Sequence, residues 1–342
     1  MVGVKKKVSI TDVAKETGLS VTTVSQILNG KGARFSEKSR KRVLAAKEAL
    51  GYEPDLFARG LVGKRGNSIG VVIPDMMNPF FASFVVSVEK AAIPRGLFPQ
   101  IFSINGFHEN VDYFIRQFLG GTQRGLILAA PEASQEIVQK VGKQLNLPMV
   151  FTDQATTLMT GDSIRIDERH AGFLVADHLL QLGHRRIAFV LPQRLTVNLK
   201  DRMAGYQQAF AQYGVQLDPG LIFPSAFNPE GGRQAVAQIV KTDATAIIAI
   251  NDDVASGVYR GLYEQHKRIP ADYAVVGFDD VTQARFMTPG LTTLAQPIDQ
   301  LGQQAVELLV AQMSGEHNTR NTIELPVKLV KRGSTKITNH RG

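Results

Sequence analysis

Cysteine is absent from the 342-residue sequence. Its absence excludes a disulfide scaffold, cysteine-ligated zinc fingers, thiol catalysis and iron–sulfur ligation. No apolar run approaches the roughly 20 residues that a membrane-spanning helix requires, so we expect no membrane as a partner. The N-terminus, MVGVKKKVSI, is basic but lacks the apolar segment of a secretory signal. We therefore expect a cytoplasmic protein.

The excess of positive charge is confined to the start of the chain. Residues 1–66 hold 14 Lys and Arg against 6 Asp and Glu, whereas the remaining residues hold 25 of each kind. The net charge of +8 therefore belongs to this first segment alone. A small basic module followed by a neutral body indicates contact with a polyanion through the module. The alternative is a basic tail that only improves solubility.

Three short helical patterns occupy residues 9–50. Ser9 and Asp12 predict a capping box at the start of the first helix, and Gly18 predicts a left-handed turn at its end. Capping serines predict two further helices, at about 21–28 and 37–50. The apolar positions that we expect to face the core of these two helices are Val21, Val24, Leu28, Val43, Leu44 and Leu50.

The next segment, DLFARGLVGKRG at 55–66, is interpreted as a linker that becomes helical only with partners. Its three glycines, Gly60, Gly63 and Gly66, each weaken a helix by about 1 kcal/mol relative to alanine. A helix this short is also marginal by itself.

From Ser68 onward, apolar strand-like runs alternate with helical patterns, which predicts parallel sheets covered on both faces. The length of this region exceeds one doubly wound sheet, so we expect two lobes with a cleft. The predicted strands are 69–73, 100–104, 126–129, 149–152, 186–191, 246–250 and 273–278. The predicted helices include 80–92, 169–182, 202–213 and 252–265.

The first two helices and their tight turn predict a helix-turn-helix, in which the second helix enters the major groove. Thr22 and Gln26 lie one turn apart on its outer side and suit contacts to base edges. The residues expected to contact phosphates are Ser9, Ser20, Thr23, Asn29 and Arg40. A plain three-helix bundle with a polar surface is the alternative interpretation.

The sequence resembles the lactose repressor (LacI) family of bacterial transcription regulators over almost its whole length. The resemblance lies in SITDVAKETGLSVTTVSQILNG and SEKSRKRVLAAKEALGYEPDLFARGL, and then in IGVVIPDMMNPFF, LGHRRIAFV, DRMAGY, INDDVASG, VVGFDD, LTTLAQP and LPVKLVKRGST. It implies a small all-α helix-turn-helix domain, joined by a hinge helix to a two-lobed α/β periplasmic-binding-protein-like domain with parallel sheets.

The implied boundaries divide the chain into four parts. They are a DNA-binding domain at 1–54, a hinge helix and linker at 55–67, an effector-binding and dimerisation domain at 68–336, and a tail at 337–342. Within the third part, the N-lobe takes about 68–166 plus 298–325, and the C-lobe takes about 167–297 plus 326–336.

The resemblance also implies which residues read DNA. Val21, Thr22 and Gln26 match the base-contacting positions of the recognition helix. Many members carry Arg in place of Gln26; Arg favours guanine, whereas Gln pairs with adenine. Leu61 matches a leucine that is inserted into the minor groove at the operator centre, with Ala58 and Arg59 beside it. Ordinary packing between two hinges is the alternative for Leu61.

Polar residues cluster where the predicted strands end, which is where open α/β sheets bind ligands. Carboxylates, amides and arginine there suit the hydroxyls of a sugar, and aromatic rings suit its face. The resemblance maps the effector pocket onto Phe80, Phe81, Asp153, Arg202, Phe227, Asn251, Asp279 and Gln296. Relatives often carry Trp where Phe227 stands, and this chain has no Trp. Asp252 and Asp280 are interpreted as helix caps.

These observations predict a repressor of carbohydrate-utilisation genes that binds a near-palindromic operator as a homodimer and responds to a small sugar-like effector. A catabolite-control or co-repressor-dependent regulator, with a phosphoprotein co-regulator, is the alternative. A sugar-binding receptor without a DNA role predicts a signal peptide and a neutral N-terminus. An enzyme is not expected, because the sequence has neither a GxxxxGK[ST] nor a GxSxG motif. We assign no metal and no cofactor.

Overall fold

The computed structural model describes residues 8–28, 30, 32–52, 67–104, 123–129, 147–152, 162–316 and 321–336. The chain divides into two compact units, Met1–Gly66 and Asn67–Gly342. Among the described residues, no helix is both long enough and apolar enough to cross a membrane.

The described residues of the first unit form the helices α1 (Ile10–Thr17), α2 (Val21–Leu28) and α3 (Glu37–Leu50), and a 3-10 turn at Gly32–Arg34. The predicted pairing at the start of α1 is confirmed, because the Ser9 backbone N–H donates to the Asp12 carboxylate at 2.8 Å. Gly18 ends α1 with φ of 63°, a left-handed conformation that glycine adopts without strain. The helix-turn-helix pattern is therefore present.

The core of the first unit corrects two of the sequence predictions. Val24, Ile27 and Val43 are buried, but Val21 is 42% exposed and Leu44 is 49% exposed. Successive helical residues turn by about 100°, so Val21 and Ile27 lie on opposite sides of Val24, and the core takes the Ile27 side. Leu44 follows Val43 directly and therefore faces away from the same core.

The second unit contains two six-stranded sheets. The first sheet has the strand order β11-β5-β4-β3-β1-β2, and all of its pairs are parallel. Its strands are β1 (Ser68–Ile73), β2 (Phe98–Ser103), β3 (Leu126–Leu128), β4 (Met149–Thr152), β5 (Asp162–Ile166) and β11 (Thr322–Leu325). Strand β1, which lies between β3 and β2, is buried at every residue, as expected for a sheet covered on both faces.

The second sheet has the order β12-β10-β9-β8-β6-β7 and is parallel except for the antiparallel edge pair β10–β12. Its strands are β6 (Ile187–Leu191), β7 (Ile222–Pro224), β8 (Ala246–Ala249), β9 (Ala274–Asp279), β10 (Thr292–Ala295) and β12 (Lys328–Val330). Strand β11 belongs to the first sheet and β12 to the second, so the chain passes between the sheets again near its end.

In the described part of the second unit, six helices accompany these sheets. They are α4 (Pro79–Ala92), α5 (Glu168–Gln181), α6 (Val197–Gln212), α7 (Pro229–Ile239), α8 (Asp252–Glu264) and α9 (Ile298–Ser314). Helix α9 follows a strand of the second sheet but packs against α4, where the Ser87 hydroxyl donates to the Asp299 carbonyl at 2.8 Å. Gly302 permits this approach, because a Cβ there would lie 2.3 Å from the Ser87 hydroxyl.

Helix α6 begins five residues before the predicted start, so Arg202 lies inside the helix and does not open it. The added first turn, from Val197 to Asp201, carries mostly polar side chains and gives no apolar periodicity in the sequence. Arg202 therefore lies in the second turn of α6.

Candidate functional site

The outer surface of α2 carries the predicted DNA-contacting residues of the first unit. Val21 and Thr22 are exposed, and Gln26 is half-buried. At the helix start, the Ser20 hydroxyl accepts from the Thr23 backbone N–H at 3.2 Å, and the two hydroxyls lie 2.9 Å apart. This contact fixes Ser20 and Thr23 at the N-terminus of α2, where a helix favours a phosphate.

Arg34 adds a charged group beside Gln26. Its Nη2 donates to the Gln26 Oε1, and its guanidinium carbon lies 5.1 Å from the centre of the Phe35 ring. The sequence did not single out Arg34, because it follows the helix and belongs to the 3-10 turn. Only the three-dimensional structure shows that this turn returns to the face of α2.

The other predicted DNA contacts are more dispersed. Ser9 and Arg40 are exposed, at the start of α1 and in the first turn of α3. Asn29 and the hinge residues Ala58, Arg59 and Leu61 lie outside the described residues, so their predicted roles stay predictions.

Asp279 forms the centre of the candidate effector site in the second unit. It is the last residue of β9, it is buried, and its Oδ1 accepts from the Gln296 Nε2 at 2.7 Å. Burial raises the pKa of Asp279 well above its usual value, and the nearby Asp252 carboxylate raises it further. A buried carboxyl of this kind can accept a hydrogen bond from a ligand and, when protonated, can also donate one.

Arg202 is also buried, but it is already paired. Its Nε and Nη2 donate to the Glu168 carboxylate at 2.8 and 3.2 Å, and its Nη1 donates to the Ile250 carbonyl at 2.9 Å. The guanidinium carbon lies 3.3 Å from the Phe278 ring centre. Burial disfavours the charge, yet the Glu168 carboxylate reverses that effect and raises the pKa of Arg202. The pair of Arg202 and Glu168 is neutral overall. Three of the five N–H bonds of Arg202 are used in these contacts, so two remain available to a ligand.

Two buried polar atoms near this pair have no hydrogen-bond partner among the described residues. One is the Nδ2 of Asn251, whose Oδ1 accepts from the Val254 backbone N–H at 2.8 Å and so caps α8. The other is the hydroxyl of Tyr206, one turn after Arg202 on α6. An unpaired buried donor costs about 1–3 kcal/mol, so each of these two atoms would gain from a polar partner.

Aromatic side chains lie on the first-sheet side of the site. Phe80 and Phe81, at the start of α4, make an edge-to-face contact with ring centres 5.1 Å apart. Phe80 lines a cavity with Gln296, and thus connects to Asp279 through the Gln296 amide. Phe227 is 43% exposed, and Asp153 lies outside the described residues. The structure therefore brings together Phe80, Phe81, Gln296, Asp279, Arg202 and Asn251.

Asp252 and Asp280 are not helix caps, because Asn251 caps α8 and Val281 precedes the following 3-10 turn. The Asp252 carboxylate instead accepts from the Val281 backbone N–H at 2.9 Å and from the Thr293 hydroxyl at 2.6 Å. Asp280 pairs with Arg332 at 2.6 Å. Both carboxylates therefore hold the segment that follows β9.

The backbone of this segment is unusual. Asp279 and Asp280 have φ angles of 111° and 55°, values that side-chain-bearing residues rarely adopt. Such conformations persist only where surrounding contacts enforce them, and they concentrate at ligand sites. The sequence pattern did not indicate Glu168, Tyr206 or Arg332. Glu168 and Arg332 pair with residues more than 30 positions away, and the Tyr206 hydroxyl has no hydrogen-bond partner among the described residues.

A basic helix-turn-helix followed by a two-sheet binding body defines a ligand-responsive DNA-binding regulator. Residues 9–55 match the family model described as bacterial regulatory proteins, lacI family, and residues 176–335 match the periplasmic binding protein-like domain. The chain is 32% identical to the HTH-type transcriptional regulator DegA of Bacillus subtilis (strain 168), covering 97% of this chain and 99% of the relative. The chain belongs to the LacI family.

Two solved structures support the same assignment. The crystal structure of the lac repressor dimer bound to operator and the anti-inducer ONPF has a TM-score of 0.84 and 28% identity, covering 96% of this chain and 99% of that chain. A LacI family transcriptional regulator from Enterococcus faecium with bound ribose has a TM-score of 0.73 and 31% identity, covering 78% and 98%. The predictions of fold and of a DNA-binding regulator are confirmed.

Proposed function

We propose that the protein is a cytoplasmic repressor that binds a near-palindromic operator as a homodimer and releases it when a ribose-like monosaccharide binds the second unit. The observation that carries the sugar assignment is the buried group of Asp279, Asn251 and Tyr206 beside two aromatic rings. The group offers one acceptor and two unpaired donors, which suits neighbouring hydroxyls on one small ring. The ribose bound to the Enterococcus faecium relative supports the same ligand class.

The charge of the site favours an uncharged ligand. Glu168 neutralises Arg202 at hydrogen-bond distance, and among the described residues the other buried acidic side chains at the site are Asp252 and Asp279. A sugar phosphate would bring two negative charges to a site where Arg202, the buried cation that the structure describes, is already paired. We therefore propose a neutral sugar.

The aromatic side chains and the polar side chains contact different parts of the sugar in this proposal. Phe80 and Phe81 cover the apolar face of the ring, while Asp279 accepts from hydroxyls and the Asn251 amide donates to them. Arg202 donates its remaining N–H groups to hydroxyl oxygens. Gln296 fixes the Asp279 carboxylate so that it faces the ligand.

The response to the sugar is a coupling between two sites. A ligand shifts the balance between two conformations only by its difference in affinity for them, so the sugar must bind the operator-releasing state more tightly. We propose that the hinge segment, 55–67, carries this coupling. Leu61→Ala should then weaken operator binding and DNA bending while sugar affinity stays unchanged; unchanged bending would contradict the role of Leu61.

The test of the ligand class is thermal unfolding of the full chain against a panel of sugars, sugar phosphates and nucleosides. A ligand at about 100 times its dissociation constant stabilises the native state by roughly 2.7 kcal/mol, which is readily detected. We expect ribose or a related neutral sugar to raise the unfolding temperature of the wild type and not of Asp279→Ala. Stabilisation by sugar phosphates alone would contradict the neutral-sugar proposal.

A regulator that responds to a phosphoprotein partner predicts a different result. Its unfolding temperature would not change with any member of the panel, and operator affinity would change only when the partner protein is added. The buried unpaired donors of Asn251 and Tyr206 favour the small-molecule alternative, because a protein surface cannot reach atoms at that depth.

A further inference from the structure

On the outer side of α2, Gln26 is in contact with a second polar side chain, Arg34. Arg34 Nη2 donates to its Oε1, although the two residues are separated by a helix end and a 3-10 turn. The guanidinium also lies against the Phe35 ring, and Phe35 packs on the core formed by Val24, Val43 and their neighbours. The guanidinium is therefore held beside the recognition helix by two contacts of different kinds.

This arrangement changes the hydrogen-bonding character of Gln26. A free glutamine recognises adenine with its carbonyl oxygen accepting from the amino group and its amide donating to N7. In the structure the carbonyl oxygen already accepts from a cation. The nitrogen groups of the pair are all donors, namely the Gln26 amide and the other N–H bonds of Arg34.

A donor-only, positively charged surface matches one base edge in the major groove. Guanine presents two adjacent acceptors, O6 and N7, whereas adenine presents an acceptor and an amino donor. The amino group of adenine would meet the N–H bonds of Arg34, which is a donor-to-donor contact. The exposure of Arg34 leaves it able to reach a base edge.

We propose that Arg34 is a base-reading residue, and that Arg34 and Gln26 together select guanine where Gln26 alone would select adenine. The proposal rests on the proposed DNA-binding function and adds to it the identity of one operator base. It differs from the expectation drawn from the sequence alone, in which Gln26 pairs with adenine.

The experiment is selection from a duplex library with a randomised central segment, carried out with the full-length wild type and with Arg34→Ala. The wild type should enrich a symmetric site with guanine at the position contacted by this pair. Arg34→Ala should lose that guanine and favour adenine there. On matched duplexes, exchanging the guanine should weaken wild-type binding about 10-fold to 100-fold and should change variant binding little.

Two further variants separate base reading from simple charge. Arg40→Ala removes another exposed cation, so it should weaken binding to all duplexes alike and lower the salt dependence by about one phosphate contact. Arg34→Lys keeps the charge but not the planar fork, so it should retain the overall affinity and lose most of the guanine preference. Thermal unfolding of each variant checks that the first unit remains folded.

Each result that would contradict the proposal has its own interpretation. If Arg34→Ala behaves like Arg40→Ala, with a uniform loss and an unchanged enriched site, Arg34 is a phosphate contact. If it binds and enriches as the wild type does, Arg34 has no role in recognition. If the wild type enriches no site at all, the DNA-binding function itself is wrong, which is a separate outcome from either of these.

Discussion

The two units of the chain differ in the burial of the charged side chains at their proposed binding sites. In the first unit, Arg34 and Arg40 are exposed, and the buried core consists of a few small apolar residues around Val24 and Val43. In the second unit, Arg202 and Glu168 are buried together, and Asp252 and Asp279 are buried nearby. Charge in the first unit is available to a partner, whereas charge in the second is held by the fold.

The difference follows from what each unit binds. A polyanion is attracted by exposed cations, and the attraction is long-range and sensitive to salt. A small neutral ligand gains little from net charge; it needs donors and acceptors fixed in place before it arrives. Buried pairs supply that fixed geometry, although they contribute little net stability relative to apolar residues. Substitutions at buried and at exposed charged side chains test this difference.

The largest effect is expected from Glu168→Ala. The change leaves the Arg202 charge buried without its carboxylate partner, which should lower the free energy of unfolding by about 3–5 kcal/mol. Glu230→Ala is the matched control, because Glu230 pairs with Arg233 on the surface at 2.7 Å. An exposed pair contributes about 0–1 kcal/mol. Urea unfolding measures both, and equal losses would contradict the distinction between buried and exposed pairs.

Arg332→Ala tests how Asp279 is held. The guanidinium of Arg332 pairs with Asp280 and donates to the Leu291 carbonyl at 2.9 Å, so its removal frees a segment with two left-handed residues. We expect sugar affinity to fall about 10-fold, a cost of about 1.4 kcal/mol, with operator affinity unchanged. Calorimetric titration with the stabilising sugar measures it.

Arg268→Ala is the control for that experiment, because Arg268 forms an exposed pair with Asp272 in the same unit. It should leave sugar affinity as in the wild type. An equal loss in the two variants would mean that Arg332 acts through general stability and not through the segment after β9.

Asp252 predicts a dependence of stability on pH. Burial raises the pKa of Asp252 to about 7, and the bonds from Thr293 and Val281 oppose the shift only in part. Between about pH 4 and pH 7 the folded state holds a proton that the unfolded state has lost, so stability falls as pH rises over this range and levels off above pH 7. The fall between about pH 6 and pH 7 should be about 1 kcal/mol.

Asp252→Asn should remove this dependence, since the amide does not titrate. Thermal unfolding at a series of pH values compares the two proteins. A wild type whose stability rises over this range relative to Asp252→Asn would contradict the assignment.

The smallest effect is expected from Ser20→Ala, which removes the hydroxyl that caps α2. The loss of stability should be about 0.5 kcal/mol, at the low end for an exposed helix cap. Ser36→Ala is a close match, because the Ser36 hydroxyl accepts from the Ser39 backbone N–H at 3.2 Å in the same way. Only Ser20→Ala should also weaken operator binding. A similar weakening by both would remove Ser20 from the predicted phosphate contacts.

The two units also differed in how far the sequence could predict them. The distribution of net charge and the capping residues indicated the first unit. The capping signals are local, because Ser9, Ser20 and Gly18 act on residues within a few positions. The long apolar strands β1, β6 and β9 were predicted for the same reason. The edge strands β7 and β12 have three residues each and carry no periodicity.

The second unit's site was predicted only in part. Asp279, Asn251 and Phe80 were expected at the site because ligands bind beyond strand ends and because the family motifs contain them. Glu168 was missed, since its partner Arg202 lies 34 positions away and only the crossing of α5 and α6 joins them. Arg34 was missed because a turn brings it back to Gln26. Contacts made by the fold leave no pattern in the sequence.

The most direct test of the account measures operator affinity with and without ribose, in the wild type and in Asp279→Ala, on a duplex recovered by selection. The account predicts that both proteins bind the duplex equally in the absence of sugar. Ribose should then weaken wild-type binding about 10-fold or more, within the range of a coupling free energy of about 1–3 kcal/mol, and leave the variant unchanged. Sugar that binds without changing operator affinity, or that tightens it, would contradict the account.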